Sequence, residues 1–158
     1  MTVRTGWGMD VHRFGGDGPT LLAGVTVDES RGVIATSDGD VAAHALADAL
    51  LGAAALGDVG THFPSDDDRW RDADSMTLLA TVAALVRAFG WDFDAVDVTV
   101  IAEKVRVAPH REAIRAALAT TLGIGVDAVS VKATTTDGLG FLGADEGIAA
   151  TALAVISR

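Results

Sequence analysis

The stretch Ser37-Asp38-Gly39-Asp40-Val41-Ala42-Ala43-His44-Ala45-Leu46-Ala47-Asp48-Ala49-Leu50-Leu51-Gly52-Ala53-Ala54-Ala55-Leu56-Gly57-Asp58 decides how the chain folds. Ser37 followed by Asp40 resembles a capping box with Asp in the place of Glu, which predicts a helix beginning near Asp38 and ending before Gly57. Val41, Ala42, Ala45, Leu46, Ala49, Leu50 and Ala53 cover most of its circumference at about 100° per residue, the pattern of a helix buried on nearly all sides. Asp40, His44 and Asp48 recur every fourth residue along one line of that helix. Burying them is unfavourable unless each has a partner or a metal.

Near the N-terminus, Asp10-Val11-His12 sets a carboxylate and an imidazole on the same face of an extended strand. Standing alone, such a pair reads first as an exposed or hydrogen-bonded histidine. With His44 it makes three N/O ligands of the kind that catalytic zinc sites use, leaving a fourth position for substrate.

The remaining residues bound the answer. At 158 residues with 49% hydrophobic content, residues 1–158 are expected to form one domain with an alanine- and valine-rich core. The absence of cysteine excludes disulfides and thiolate ligands and makes a cytoplasmic setting the expectation. No signal peptide or membrane-length apolar run is visible. A formal net charge of -10 argues against a nucleic-acid surface, which needs concentrated Lys and Arg. An anionic ligand would have to be met by metal ions, helix N-termini or a few placed cations.

In chain order, residues 3–12 read as a strand in which Gly6 and Gly8 permit close backbone approach. A glycine-rich turn and a short strand over 21–27 follow, and 33–35 lead into the organising helix. Residues 57–68 form an acidic loop, and a helix capped by Asp74 or Ser75 runs to Phe89 with Met76, Leu79, Val82, Leu85, Val86 and Phe89 as its buried stripe. Residues 96–102 alternate as a strand, Pro109 opens a helix reaching Leu122, and 129–134 form another strand. That strand runs into Thr134-Thr135-Thr136-Asp137-Gly138-Leu139-Gly140-Phe141, which reads as a phosphate cradle or as a threonine run in an edge strand. The last strand, 148–157, is small or apolar on both faces, so self-association is expected to cover what the helices leave bare. His62 in the loop and His110 in a helix's first turn are given no catalytic role. The fold expected is α+β: a two-layer sandwich of a mixed four-stranded sheet with helices on one face, related to ferredoxin-like split βαβ folds.

Together, Asp10-Val11-His12, Ser37-Asp38-Gly39-Asp40-Val41, His44-Ala45-Leu46, the run from Asp48 to Asp58, Phe63-Pro64, Ala73-Asp74-Ser75, Pro109-His110 and Lys132-Ala133-Thr134-Thr135-Thr136 resemble the 2-C-methyl-D-erythritol 2,4-cyclodiphosphate synthase family of the non-mevalonate isoprenoid pathway. The resemblance implies a homotrimer packed through its sheets, with active sites between subunits. It implies as substrate 4-diphosphocytidyl-2-C-methyl-D-erythritol 2-phosphate, whose 2-phosphate attacks the β-phosphorus and expels CMP. It also implies Zn²⁺ on Asp10, His12 and His44 against the substrate's β-phosphate. Asp137 stands where the family has Glu and would hold Mg²⁺ or Mn²⁺. Asp48 would orient an imidazole, and Thr135, flanked by Thr134 and Thr136, would steady the phosphoryl group. Asp58-Val59-Gly60 and the loop from Phe63 to Asp67, with Pro64, Ser65 and Asp66, correspond to the polyol pocket, the stretch from Ala102 through Arg106 to Ala108 to the cytidine pocket, and Phe141 to a further substrate contact.

The chain also departs from the family pattern. Thr36, beside Ser37, replaces a histidine that touches the phosphates, so a neutral donor stands where a cation is usual. Val105-Arg106 replaces Pro-Lys. Ala144-Asp145 replaces the Arg-Gly of a trimer-axis cavity that holds isoprenoid diphosphates in some relatives, so such binding is expected to be weak or absent. Two competing readings are a metal-dependent phosphohydrolase and an inactive trimeric anion-binding protein.

Overall fold

A computed structural model describes residues 1–158. The elements are β1 (Val3–Gly16), β2 (Thr20–Leu22), β3 (Val25–Asp28), β4 (Gly32–Ile34), α1 (Val41–Ala54), α2 (Val59–His62), α3 (Ser75–Ala88), β5 (Asp92–Ile101), α4 (Arg111–Leu122), β6 (Val129–Thr134), α5 (Gly140–Gly143) and β7 (Gly147–Ser157). The main sheet is mixed and has five strands in the order β4-β1-β7-β5-β6, and β2 and β3 form a separate hairpin. The expected four-stranded sheet is thus short by one: β4, a three-residue strand beside β1, is too brief to show alternation in sequence. β5 and β6 run parallel and all other neighbours antiparallel, because α4 supplies the crossover that a parallel pair needs.

One face of the sheet carries the core. Ile148, Ala150, Ala152, Ala154 and Ile156 of β7 are buried there with Val96, Val98 and Val100 of β5 and Val129 and Val131 of β6. The alternate residues lie on the other face, where Trp7 is 62%, Met9 47% and Leu153 41% exposed. The apolar last strand is therefore covered by helices on one side only.

Helix α1 is seated directly on β1. A Cβ on Gly6 would lie 2.0 Å from the Ala49 carbonyl oxygen, and one on Gly8 2.1 Å from that of Ala45. Only glycine lets strand and helix backbones approach so closely. In the antiparallel register Gly6, Gly8, Asp10 and His12 pair with Ala154, Ala152, Ala150 and Ile148, so all four face the helix layer. The two glycines bring α1 down and the next two residues of that face meet it.

Several local expectations change. α1 begins at Val41 rather than near Asp38, and its cap is Asp40, whose side chain accepts from Ala43 N–H. Asp40 is fully buried because it also accepts from Ala23 N–H at 2.9 Å and Gly24 N–H at 2.8 Å, tying the β2–β3 turn to the helix start. Phe89, expected in the buried stripe of α3, is 55% exposed, since α3 stops at Ala88. The acidic loop contains α2, and His62 in it hydrogen-bonds Leu56 O at 2.7 Å rather than lying free in solvent. No helix is long and apolar enough to cross a membrane.

Candidate metal centre and pocket

The C-terminal part of β1 and the first turn of α1 converge on one point. Asp10 Oδ2 lies 3.1 Å from His12 Nε2 and 3.2 Å from His44 Nδ1. Ligand atoms of the three residues all lie within 4.8 Å of one another. Asp10 Oδ2 and His12 Nε2 are buried without a hydrogen-bond partner, an arrangement that is unfavourable unless a cation sits between them. One carboxylate and two imidazoles suit zinc, with a fourth position open.

Electrostatics favour a cation there as well. Burial pushes the Asp10 carboxyl up, but the adjacent His12 and His44 outweigh it and bring its pKa to about 2. Burial lowers the proton affinity of His44, yet the carboxylates of Asp10, Asp40 and Asp38 together raise it above the ordinary value. The site therefore concentrates negative charge around imidazole nitrogens.

His44 is oriented from behind by a different residue than expected. Asp48 Oδ1 accepts from Val59 N–H at 3.0 Å, which anchors α2 instead of orienting an imidazole. The far nitrogen of His44, Nε2, lies 2.8 Å from Ser75 Oγ and 3.4 Å from Ser37 Oγ. Ser75 Oγ in turn donates to Asp38 Oδ1, and Ser75 N–H donates to Asp38 Oδ2 at 3.0 Å. In the sequence Ser75 carried a helix-start signal and a place in the family resemblance, with no site role assigned to it. Its link to Asp38, 37 residues away, leaves no local spacing to read.

The metal centre opens on a cavity of about 580 Å³ lined by His12, Thr36, Ser37, His44, Gly60, Phe63, Pro64 and Ser65 among the expected residues. Val59 and Asp66, from the stretches expected to form the polyol pocket, also line it, and Trp70, Ala73 and Leu78 join them without a pocket role expected from the sequence. Phe63 and Trp70 meet edge to face at 4.7 Å. Asp58 and Asp67 do not line this cavity. Asp58 caps α2 by accepting from Thr61 N–H and Oγ1, and Asp67 caps the following turn and pairs with Arg69 at 2.6 Å. Both carboxyls are held below the usual range by these partners.

The expected cytidine and phosphoryl residues stand apart from this cavity. Val11 pairs with Ala149, Ala149 with Ile101, and Ile101 with Thr134. Thr134 therefore lies at the same end of the sheet but three strand spacings, about 14 Å, from the metal strand. Beyond it Thr135 Oγ1 accepts from Asp137 N–H at 3.2 Å, and Thr136 Oγ1 donates to Leu139 O at 2.7 Å. Asp137 is in the left-handed region at φ 57°. Ala102 follows β5 with its N–H on Thr134 O, and Arg106 is exposed while Ala108 begins a short turn. Phe141 lies nearer the metal strand, in a small cavity with Val11, His12 and Glu146.

A carboxylate and two imidazoles that could hold a metal ion thus stand together at the mouth of a cavity, the arrangement of an enzyme centre. Residues 3–157 match the YgbB family, and the chain belongs to it. It is 52% identical over 154 residues to the 2-C-methyl-D-erythritol 2,4-cyclodiphosphate synthase of Pseudomonas aeruginosa, with 98% of each chain covered. It is 51% identical over 156 residues to the enzyme of that name from Aliivibrio salmonicida, covering 99% of this chain and 98% of that one. Among solved structures, a CDP-bound 2C-methyl-D-erythritol-2,4-cyclodiphosphate synthase matches with a TM-score of 0.88 and 34% identity over 98% of this chain and 100% of its own. The bifunctional IspDF of Campylobacter jejuni matches at 0.95 and 41%, covering 98% of this chain and 42% of that one. The activity is cyclodiphosphate synthesis in non-mevalonate isoprenoid formation.

Proposed function

We propose that the chain converts 4-diphosphocytidyl-2-C-methyl-D-erythritol 2-phosphate to the 2,4-cyclodiphosphate, with Zn²⁺ on Asp10, His12 and His44 and Mg²⁺ or Mn²⁺ on Asp137. An oxygen of the 2-phosphate forms a bond to the β-phosphorus, the bond from the β-phosphorus to the oxygen bridging it to the α-phosphorus breaks, and CMP leaves with that oxygen and the electron pair. The zinc, when bound, supplies Lewis acidity at a β-phosphate oxygen. The protein's part is alignment and charge neutralisation, because phosphoryl transfer needs little covalent help. Phe63, Trp70 and Leu78 shield the polyol carbon chain from water, and Ser37, Ser65 and Asp66 offer it hydrogen bonds. Thr36 contributes a hydroxyl to the phosphates, and Thr135 holds the transferring phosphoryl group.

The observation that carries this reading is the pair of buried, unpartnered ligand atoms, Asp10 Oδ2 and His12 Nε2, facing His44 Nδ1 at the cavity mouth. We read the active site as shared between neighbouring subunits of a homotrimer packed through the bare sheet faces. Two observations support this: the cytidine and phosphoryl residues follow β5 and β6, two and three strands from β1, and Trp7, Met9 and Leu153 are exposed on the uncovered face. The chain then acts as one cytoplasmic domain, and the parallel β5–α4–β6 unit makes it kin to ferredoxin-like split βαβ folds. The test is phosphorus NMR of the products with metal content measured on the same protein. A cyclic diphosphate plus CMP is expected; linear phosphates would identify a phosphohydrolase, and no turnover by zinc-loaded protein would leave an anion-binding trimer.

A further inference from the structure

We infer that Ser75 and Asp38 are positioning residues that fix the proton of His44 on Nε2 and thereby hold its Nδ1 lone pair on the metal position. The inference rests on reading Asp10, His12 and His44 as a metal centre. It follows from counting protons. Asp38 accepts at Oδ2 from Ser75 N–H and at Oδ1 from both Ser75 Oγ and Asp40 N–H. An ionised carboxylate can only accept, so the single hydroxyl proton of Ser75 is committed to Asp38. Ser75 Oγ therefore presents only lone pairs to His44 Nε2, 2.8 Å away. The nitrogen must be the donor in that contact, so once a cation displaces the proton that Nδ1 shares with Asp10 Oδ2, 3.2 Å away, the Nδ1 lone pair faces the metal position.

Ser37 is the weaker competitor for Nε2: its Oγ accepts from Gly39 N–H and stands farther away, at 3.4 Å against 2.8 Å for Ser75. Ser75 itself is fully buried, so water does not compete for the contact. A carboxylate, hydroxyl and imidazole in series set both the tautomer and the angle of a metal-binding ring, and they raise its basicity.

The placement of the pair also links the metal to the rim of the pocket. Ser75 is the first residue of α3 and follows the segment that carries Trp70 and Ala73 into the cavity. That segment is fastened to the residues before α1 twice, by Asp38 N–H on Ala73 O and Asp72 N–H on Thr36 O. One carboxylate, Asp38, thus holds both the base of the pocket segment and the partner of His44.

The test uses full-length protein and three variants: Ser75→Ala, Ser75→Thr and Asp38→Asn. Zinc affinity is measured by chelator competition, ligand geometry by the d–d spectrum with Co²⁺, and the exchange protection of the His44 Nε2–H proton by nitrogen-15 NMR of zinc-loaded protein. Expected are a slowly exchanging Nε2–H in the wild type, a roughly 10- to 100-fold loss of zinc affinity with altered cobalt bands in Ser75→Ala and Asp38→Asn, and restoration in Ser75→Thr, which keeps the hydroxyl. A wild-type Nε2–H that exchanges as fast as in Ser75→Ala overturns the inference while leaving the metal reading in place. So does a Ser75→Ala protein that melts earlier but binds zinc as tightly as before. If Ser75→Ala does not fold, Asp38→Asn decides by the same readings. Failure of the wild type to bind zinc or cobalt at all defeats the metal reading itself and is told apart because every outcome that overturns the inference is read on metal-loaded protein.

Discussion

Replacing Gly8 by alanine probes how the packing of β1 and α1 creates the metal centre. The added Cβ would fall 2.1 Å from Ala45 O and 2.7 Å from Ala49 N. Both atoms are helix backbone, so no side chain can rotate away and the relief must come from separating helix and strand. Reaching ordinary contact at 3.4 Å asks for a displacement of about 1.3 Å. Overpacking of an interior costs ~1–3 kcal/mol, and a clash between two backbones belongs at the upper end or beyond. The same displacement acts one residue from His44 and two from Asp10, so it opens the ligand set as it loosens the core. Urea unfolding is expected to show a midpoint lowered by that amount with little change in slope. Chelator competition is expected to show zinc bound about 10- to 100-fold more weakly, the scale on which small errors in ligand placement act. Gly52→Ala serves as the control, because it lies on the exposed side of α1 with nothing within 4 Å of the new methyl. It should gain ~0.5–1 kcal/mol from helix propensity and leave zinc binding alone. A Gly8→Ala protein with wild-type midpoint and zinc affinity would refute the direct seating of α1 on β1.

Other outcomes follow from the same geometry. Burial pushes the Asp40 carboxyl up to about 6, against the backbone N–H bonds it accepts. Its contribution is therefore full below the unfolded value of 3.8 and is lost as pH rises through about 6. Relative to Asp40→Asn, wild-type stability should fall by roughly 3 kcal/mol between pH 4 and 7, and urea melts with a flat difference would contradict this. Because His44 holds its proton more tightly than an ordinary imidazole, apparent zinc affinity should climb between pH 6 and 8 as the competing proton leaves; a pH-independent affinity in calorimetry rejects that account. Geranyl diphosphate should give no tight-binding isotherm, since Ala144 has no charge to offer and Asp145 is already paired with Arg31 at 2.7 Å. Tight binding would locate a cation other than these residues.

What the sequence disclosed, and what it hid, divides by the range of the interactions. The Asp74 cap of α3, the Gly123 stop of α4 at φ 65° and the bounds of β6 lie where local signals placed them. Periodicity placed Asp10 and His12 on one strand face and His44 on one helix face, but it was the family resemblance that joined them; the structure brings their ligand atoms within 4.8 Å of one another. The start of α1 was ambiguous, since Ser37, Asp38 and Asp40 are all competent caps. Asp40 prevails because it alone reaches the amides of Ala23, Gly24 and Ala43 at once. β4 is an edge strand of three residues, selected by pairing with β1 rather than by its own pattern. Asp48 was misread because periodicity gives the face of a helix but not which of two neighbours, a ring or an amide, lies nearer. Ser75 was missed for a related reason: its value comes from a tertiary contact that no spacing encodes.

The distance across the sheet between His44 and Thr135 has a consequence for mixed populations. If each reaction centre is completed by a neighbour, a chain crippled in its zinc ligands and another crippled at its threonines are each inactive alone. Unfolding and refolding the two together would re-form some junctions from one sound half of each parent. Part of the turnover would then return from a blend of two dead proteins, in proportion to how often unlike chains meet.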